Sequence, residues 1–144
     1  MPSSYTPLGV ELMVTGEQAG LWGDKTNTNL QIVSQISGGF TTQAVSGTGN
    51  TNITVNDGST GSALATRVIE LTGTITGAIT VSIPLDVENF YIIKNSTSGA
   101  FSVEFQYVSG SGTSVTWSST DKGTKILYAK ADDGTNPNIV DVFS

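Results

Sequence analysis

The residues in this chain best suited to chemistry are four acids close to strand-like stretches: Glu70, Asp86, Glu88 and Glu104. A pair of carboxylates flanking a sugar bond can hydrolyse it, one as acid and one as base or nucleophile. Acids on a sheet face are more commonly solvated surface, so no catalytic pair is expected. Asp132-Asp133-Gly134 and Asn56-Asp57-Gly58 could offer oxygen ligands to calcium. Neither has the spaced Asp-x-Asp-x-Asp-Gly loop that wraps the ion, and both sit where a tight turn is needed anyway. No histidine is present, which removes the commonest general base and metal ligand. No cysteine is present, which removes disulfides, thiolate metal sites and thiol nucleophiles. A lysine-activated serine is not expected. The glycines introduce further strands instead of a helix N-terminus that could hold phosphate. The expectation is a protein with no catalytic, metal or cofactor residues. Asn52-Ile-Thr54 and Asn95-Ser-Thr97 match the glycosylation sequon, as chance allows in a chain this rich in Asn and Thr.

What remains is binding. Tyr5, Trp22, Tyr91, Tyr107, Trp117 and Tyr128 are core or contact residues, and Trp117 reads as core or inter-subunit packing, with an aromatic sugar platform as the sharper alternative. Charged residues make up 12% of the 144, about half the usual share, and the net charge is −6. An acidic, lysine-poor surface is repelled by phosphate backbones and anionic membranes, so neither nucleic acid nor a membrane is an expected partner. No apolar run approaches the roughly 18 residues a span requires. Met1-Pro2-Ser3-Ser4-Tyr5 has neither the basic region nor the apolar core of a signal peptide, so an extracellular role would come through cell lysis or through a pathway not legible in the sequence.

The elements that would position such contacts fall into two parts. Residues 1–25 scatter Leu8, Leu21, Trp22 and other apolar residues among glycines without a period, which predicts an extended arm that docks on a partner. Leu30, Val33 and Ile36 then recur every three residues, predicting a helix over about 26–37. Thr28 with Gln31 forms a capping-box pattern, Asp24 is a competing cap, and Gly38-Gly39 supplies a left-handed stop. From Phe40 onward the period changes to two. Strands are expected around Ile53–Val55, Arg67–Leu71, Thr74–Ile83, Asn89–Lys94, Phe101–Phe105, Val115–Trp117, Lys125–Ala129 and Ile139–Phe143. The run Phe90–Ile93 reads as a central strand buried on both faces. Turn signals every 8–12 residues predict an antiparallel β-sandwich, jelly-roll-like, in a mostly β chain with one short helix. The expected division is an anchoring arm with its helix over 1–45 and a β-sandwich over 46–144.

The segment from Leu8 to Leu30 carries Gly16-Glu17, Gly20-x-Trp22-Gly23 and Asn27-x-Asn29-Leu30. It resembles the N-terminal region of tail-fibre-like and virion structural proteins of marine bacteriophages, those of cyanobacteria and other oceanic bacteria. Glu70-Leu-Thr-Gly-Thr74, Val81-x-Ile83-Pro84, Asn95-x-Thr97-Ser98-Gly99, Gly110-Ser-Gly112 and Asp133-Gly-Thr-Asn136 look like the β domain that follows in those proteins.

The resemblance implies a non-enzymatic virion protein, located on the capsid surface or tail, that binds a major capsid or tail protein. It also implies a homotrimer. The chain is short for a tail fibre, with no long shaft, which favours a capsid decoration or head-fibre subunit. A short tail fibre or adhesin that binds host glycans is the alternative, and a depolymerase is a further rival. The residues expected to anchor it are Leu8, Glu17, Leu21, Trp22, Asp24, Asn27 and Asn29. Leu30, Val33 and Ile36 are expected to pack against the same helix of neighbouring subunits.

Overall fold

The computed structural model describes residues 3–14, 16 and 20–143. The chain begins with a small hairpin of β1 (Ser4–Tyr5) and β2 (Glu11–Leu12), then α1 (Trp22–Gly38). Nine strands follow: β3 (Phe40–Ala44), β4 (Gly47–Asn52), β5 (Val68–Thr72), β6 (Ile75–Ile83), β7 (Asn89–Asn95), β8 (Val103–Tyr107), β9 (Val115–Trp117), β10 (Thr124–Ala129) and β11 (Ile139–Asp141). A short 3-10 turn, Ala63–Ala65, precedes β5.

The strands form a five-stranded sheet, β11-β10-β7-β5-β3, and a four-stranded sheet, β4-β6-β8-β9. One apolar core draws on both sheets, so they face each other. The antiparallel, jelly-roll-like expectation is overturned. The pairs β3–β5, β5–β7, β4–β6 and β6–β8 are parallel, and antiparallel pairing is confined to β9, β10, β11 and the N-terminal hairpin. From β3 to β8 consecutive strands do not fold back as hairpins. Each of β3–β4, β5–β6 and β7–β8 passes from one sheet to the other through a corner, making three coils stacked in register.

Hydrogen bonding runs around the corners without a break. Val45 N–H donates to the Thr72 carbonyl at 2.8 Å and Gly47 N–H to Thr74 at 3.0 Å. One coil on, Ser96 N–H donates to Leu71, Ser98 N–H to Gly73 and Ile75 N–H to Ser98, each at 2.8 Å. Such close stacking explains two glycines. Gly73 has φ +116°, and a Cβ there would meet the Val45 carbonyl oxygen at 2.7 Å. Gly99 has φ +110°, and a Cβ there would collide with the Ile75 carbonyl oxygen. Buried Asn95 braces the third corner. Its Oδ1 accepts from Thr97 N–H (3.2 Å) and Thr97 Oγ1 (2.6 Å), and its Nδ2 donates to the Asp121 carbonyl (3.0 Å).

Register also sets what each coil puts into the core. The second coil contributes Ile69, Leu71, Ile79 and Val81. The matching positions of the first coil are Thr41, Gln43, Gly49 and Thr51. The stack therefore ends in a polar layer on the edge strands β3 and β4, as a terminal coil facing water requires. β7 is central in its sheet as expected, but only one face is buried: Tyr91 and Ile93 point inward, while Phe90 is exposed.

The helix starts a turn earlier than expected, at Trp22, and neither Asp24 nor the Thr28–Gln31 box caps it; Leu21 stands at the N-cap with no side-chain bond. Gly39 does not take the left-handed conformation (φ −74°, ψ 153°). It is needed for another reason, since a Cβ there would sit 2.5 Å from the Gln35 carbonyl oxygen.

Gly99→Ala is expected to lower unfolding stability by roughly 2–4 kcal/mol, combining backbone strain with overpacking. Gly61→Ala, also at positive φ (+95°) but facing open space, is expected to cost only about 1–2 kcal/mol. Urea denaturation of both variants checks the difference.

Candidate interaction surfaces

The two outer faces of the sandwich differ in kind. In parallel and antiparallel ladders alike, register partners share a face. On the smaller sheet the outward rows are Asn50–Thr80–Glu104–Thr116 and Asn52–Ser82–Gln106, polar throughout. Ser82 donates to the Asn52 side-chain oxygen at 2.8 Å and Ser114 donates to Glu104 at 2.5 Å, so this face is also internally bonded.

On the larger sheet the outward row is Phe40–Val68–Ile92–Ile126, crossing four strands. Val142 extends it, its N–H bonded to the Ile126 carbonyl at 2.9 Å. Phe90, Tyr128 and Val140 form a second apolar row beside it. Arg67 lies flat on this face, its guanidinium carbon 3.8 Å from the Phe90 ring centre and its Nη1 donating to the Phe90 carbonyl (2.8 Å) and Asn89 Oδ1 (3.0 Å). The next row is polar, Thr42–Glu70–Lys94–Thr124. A contiguous apolar patch on one side only marks a contact surface.

A second exposed apolar stripe lies on the helix. Trp22 and Leu21 are each 47% exposed, Leu30 62% and Val33 50%. The helix turns a different side to the protein: Ile32 is fully buried, and Gln35 donates to the Ser62 and Ala65 carbonyls (3.3 and 2.8 Å). Ile36 is half-buried and lines a groove of about 510 Å³ with Leu8, Leu85 and Ala131. Of the three residues expected to meet neighbouring helices, Leu30 and Val33 thus face outward and Ile36 does not.

The expected anchors separate in the same way. Leu21, Trp22, Asp24 and Asn27 are exposed on the first turns of the helix or just before it. Leu8 packs against the core. Asn29 is spent internally: its Oδ1 accepts from Glu11 N–H (2.9 Å) and its Nδ2 donates to the Glu11 carbonyl (3.0 Å). Glu17 lies outside the described residues. Residues 3–14 are not the extended arm that was expected; they fold back as the hairpin. Gly58 N–H donates to the Gly9 carbonyl (2.7 Å), and the buried Glu11 carboxylate pairs with Lys25 at 3.4 Å.

The candidate chemistry is dispersed. Glu70 and Glu104 sit on opposite outer faces, each accepting from a serine, Ser96 and Ser114 respectively. Asp86 and Glu88 lie exposed in the β6–β7 turn. Among the described residues no group of three His, Cys, Asp or Glu could hold a metal ion. Nor is any described helix long and apolar enough to cross a membrane. Ser119 and Lys122 do have the Ser-x-x-Lys spacing of a lysine-activated serine. The Lys122 ammonium is committed elsewhere, to the Gly99 carbonyl (2.7 Å) and Thr97 Oγ1 (3.1 Å). Trp117 is fully buried and donates to the Gly123 carbonyl at 3.0 Å, so it is no sugar platform.

Asp132 and Asp133 act as turn residues. Asp133 Oδ1 accepts from the N–H groups of Thr135 (2.8 Å) and Asn136 (3.0 Å). Asp132 accepts from the Asn138 side chain (3.0 Å) and N–H (2.9 Å). Asn136 and Asn138 in turn accept from Ser111 and Thr113 N–H groups, tying this loop to the β8–β9 loop. These bonds hold both carboxyls below their ordinary pKa, for Asp132 chiefly the Asn138 side chain and for Asp133 chiefly the Thr135 N–H.

No family model, curated protein or solved structure matches this chain.

Asn29→Ala is expected to cost about 1–3 kcal/mol, because it strands two Glu11 backbone groups. Faster amide hydrogen exchange at Glu11, with the sheet amides unchanged, checks it. The Asp133 carboxyl favours the folded loop fully above the ordinary aspartate range, about 3.9, and the support is lost as pH falls through its lowered folded pKa. The amide shifts of Thr135 and Asn136 should titrate together in that acid range, and Asp133→Asn should abolish the titration.

Proposed function

We propose that this chain is a non-enzymatic structural subunit of a bacteriophage particle, a capsid decoration or head-fibre protein that acts by binding other proteins. The observation that carries the reading is the contrast between its surfaces. One outer face is a bonded network of uncharged and acidic polar side chains, suited to facing water. Leu21, Trp22, Leu30 and Val33 stand exposed at the opposite extreme of polarity on α1. Apolar side chains of this size are seldom left to water by a monomer, and a tryptophan of this kind commonly dominates a protein interface. The resemblance of the Leu8–Leu30 segment to phage virion proteins points the same way.

On this reading the start of α1 is the anchor. Trp22 and Leu21 enter a pocket on a capsid or tail protein, with Asp24 and Asn27 at the rim. The hairpin, clamped to α1 through Asn29 and Lys25, holds the helix at a fixed angle to the sandwich. The polar sheet then projects away from the particle.

Cryo-electron microscopy of the phage particle tests the assignment. Density for this fold repeated over the capsid lattice is the expected result. Density at the tail would make it a tail fibre or adaptor, and a particle without the chain would overturn the reading. With purified protein added to particles that lack it, Trp22→Ala should weaken binding at least about tenfold.

A further inference from the structure

We propose that the apolar outer face of the larger sheet binds the same face of a second copy of this chain, making a two-fold dimer in place of the homotrimer that the resemblance implies. The area supports it. At roughly 150–250 Å² per aromatic side chain, the exposures of Phe40 (62%), Phe90 and Tyr128 (41% each) leave on the order of 300 Å² from three residues alone. The half-buried Val68, Ile92 and Ile126 and the exposed Val140 and Val142 lie among them and add to this. A standard interface surrounds such an apolar centre with a polar rim, and the Thr42–Glu70–Lys94–Thr124 row supplies polar side chains along one side of it.

The arrangement of charge is what selects a second copy. Glu70 and Lys94 are register partners on adjacent strands, as are Val68 and Ile92. A two-fold axis parallel to the strands, between β5 and β7, lays each strand over its neighbour's counterpart. Glu70 then faces Lys94 of the second copy, and Lys94 faces its Glu70. Val68 faces Ile92 both ways, and Phe40 faces Ile126. Apolar row meets apolar row while each acid meets a base, the self-complementarity an isologous contact requires. In the strand rows that meet, the charged side chains are Glu70 and Lys94, with Arg67 stacked on Phe90 beside them. The sandwich edges are poor alternatives, because the first coil ends in a polar layer and a glycine bulge at Gly47–Gly49. The pairing needs no virion partner and is read on the purified chain alone.

Multi-angle light scattering and sedimentation equilibrium test it. The wild-type chain should be a dimer at micromolar concentration. Glu70→Lys alone and Lys94→Glu alone should each raise the dissociation constant on the order of a hundredfold, since each homodimer then opposes like charges twice. Mixing the two variants should restore a heterodimer, in which lysines at 70 and 94 of one copy face glutamates of the other. Restoration on mixing cannot come from a defect within either chain. Phe40→Lys, on the exposed edge strand, should weaken the dimer without loss of the β circular-dichroism signal. A wild-type monomer, a wild-type trimer, or variants that fail to pair on mixing would each overturn the proposal.

Discussion

Everything in this fold depends on backbone stacking upon backbone at the corners. Three coils bend from one sheet to the other at Val45–Ser46, Gly73–Thr74 and Thr97–Ser98, and their hydrogen bonds continue through the bend. A corner carrying a side chain on the inside could not approach its neighbour so closely, and so glycine stands at 73 and 99. Once the corners lock, register is set for both sheets at once. A slip of one residue would turn Ile69, Leu71, Ile79 and Val81 out to water.

That locked register is also what builds surfaces. Residues far apart in sequence line up in straight rows because each coil repeats the position of the last. The larger sheet thereby collects Phe40, Val68, Ile92 and Ile126 into one outward stripe, and the smaller sheet collects asparagine, threonine, serine and glutamine. The inward rows fade from aliphatic to polar toward the first coil, so the stack ends instead of inviting another strand. Charge at the opposite edge serves the same end. Lys125, on the inward side of β10, is held by Asp121 and Asp141 at 3.5 Å each.

The N-terminal hairpin and α1 join this body through Leu8, which packs against the core, through Ile32 and through a few polar contacts. Asn29 and Lys25 seize Glu11, and Gln35 seizes the turn before β5, its Oε1 also accepting from Gly61 N–H at 3.1 Å. Ile32 is the one fully buried apolar side chain of the helix. A helix held by so narrow a seam keeps the rest of its circumference exposed, and that is where Trp22, Leu30 and Val33 stand.

Alternation alone located most strands, and it placed Phe101–Phe105, Val115–Trp117 and Lys125–Ala129 close to where they lie, because burying one face of any strand demands period two. Composition determined the absence of thiol and imidazole chemistry outright. The turn role of Asp132-Asp133-Gly134 was legible because Asp and Gly satisfy a turn locally. Pairing direction was not legible: parallel and antiparallel strands alternate identically, and only long-range stacking decides whether a glycine after a strand makes a hairpin or a corner. β3 and β4 escaped for a related reason, since their inward residues are Thr41, Gln43, Gly49 and Thr51. The helix stripe Leu30, Val33 and Ile36 was visible as a period but not as a direction. Which side of a helix is buried depends on what packs against it, and here the partners are the hairpin and the turn before β5, which only the folded chain brings to Ile32 and Gln35.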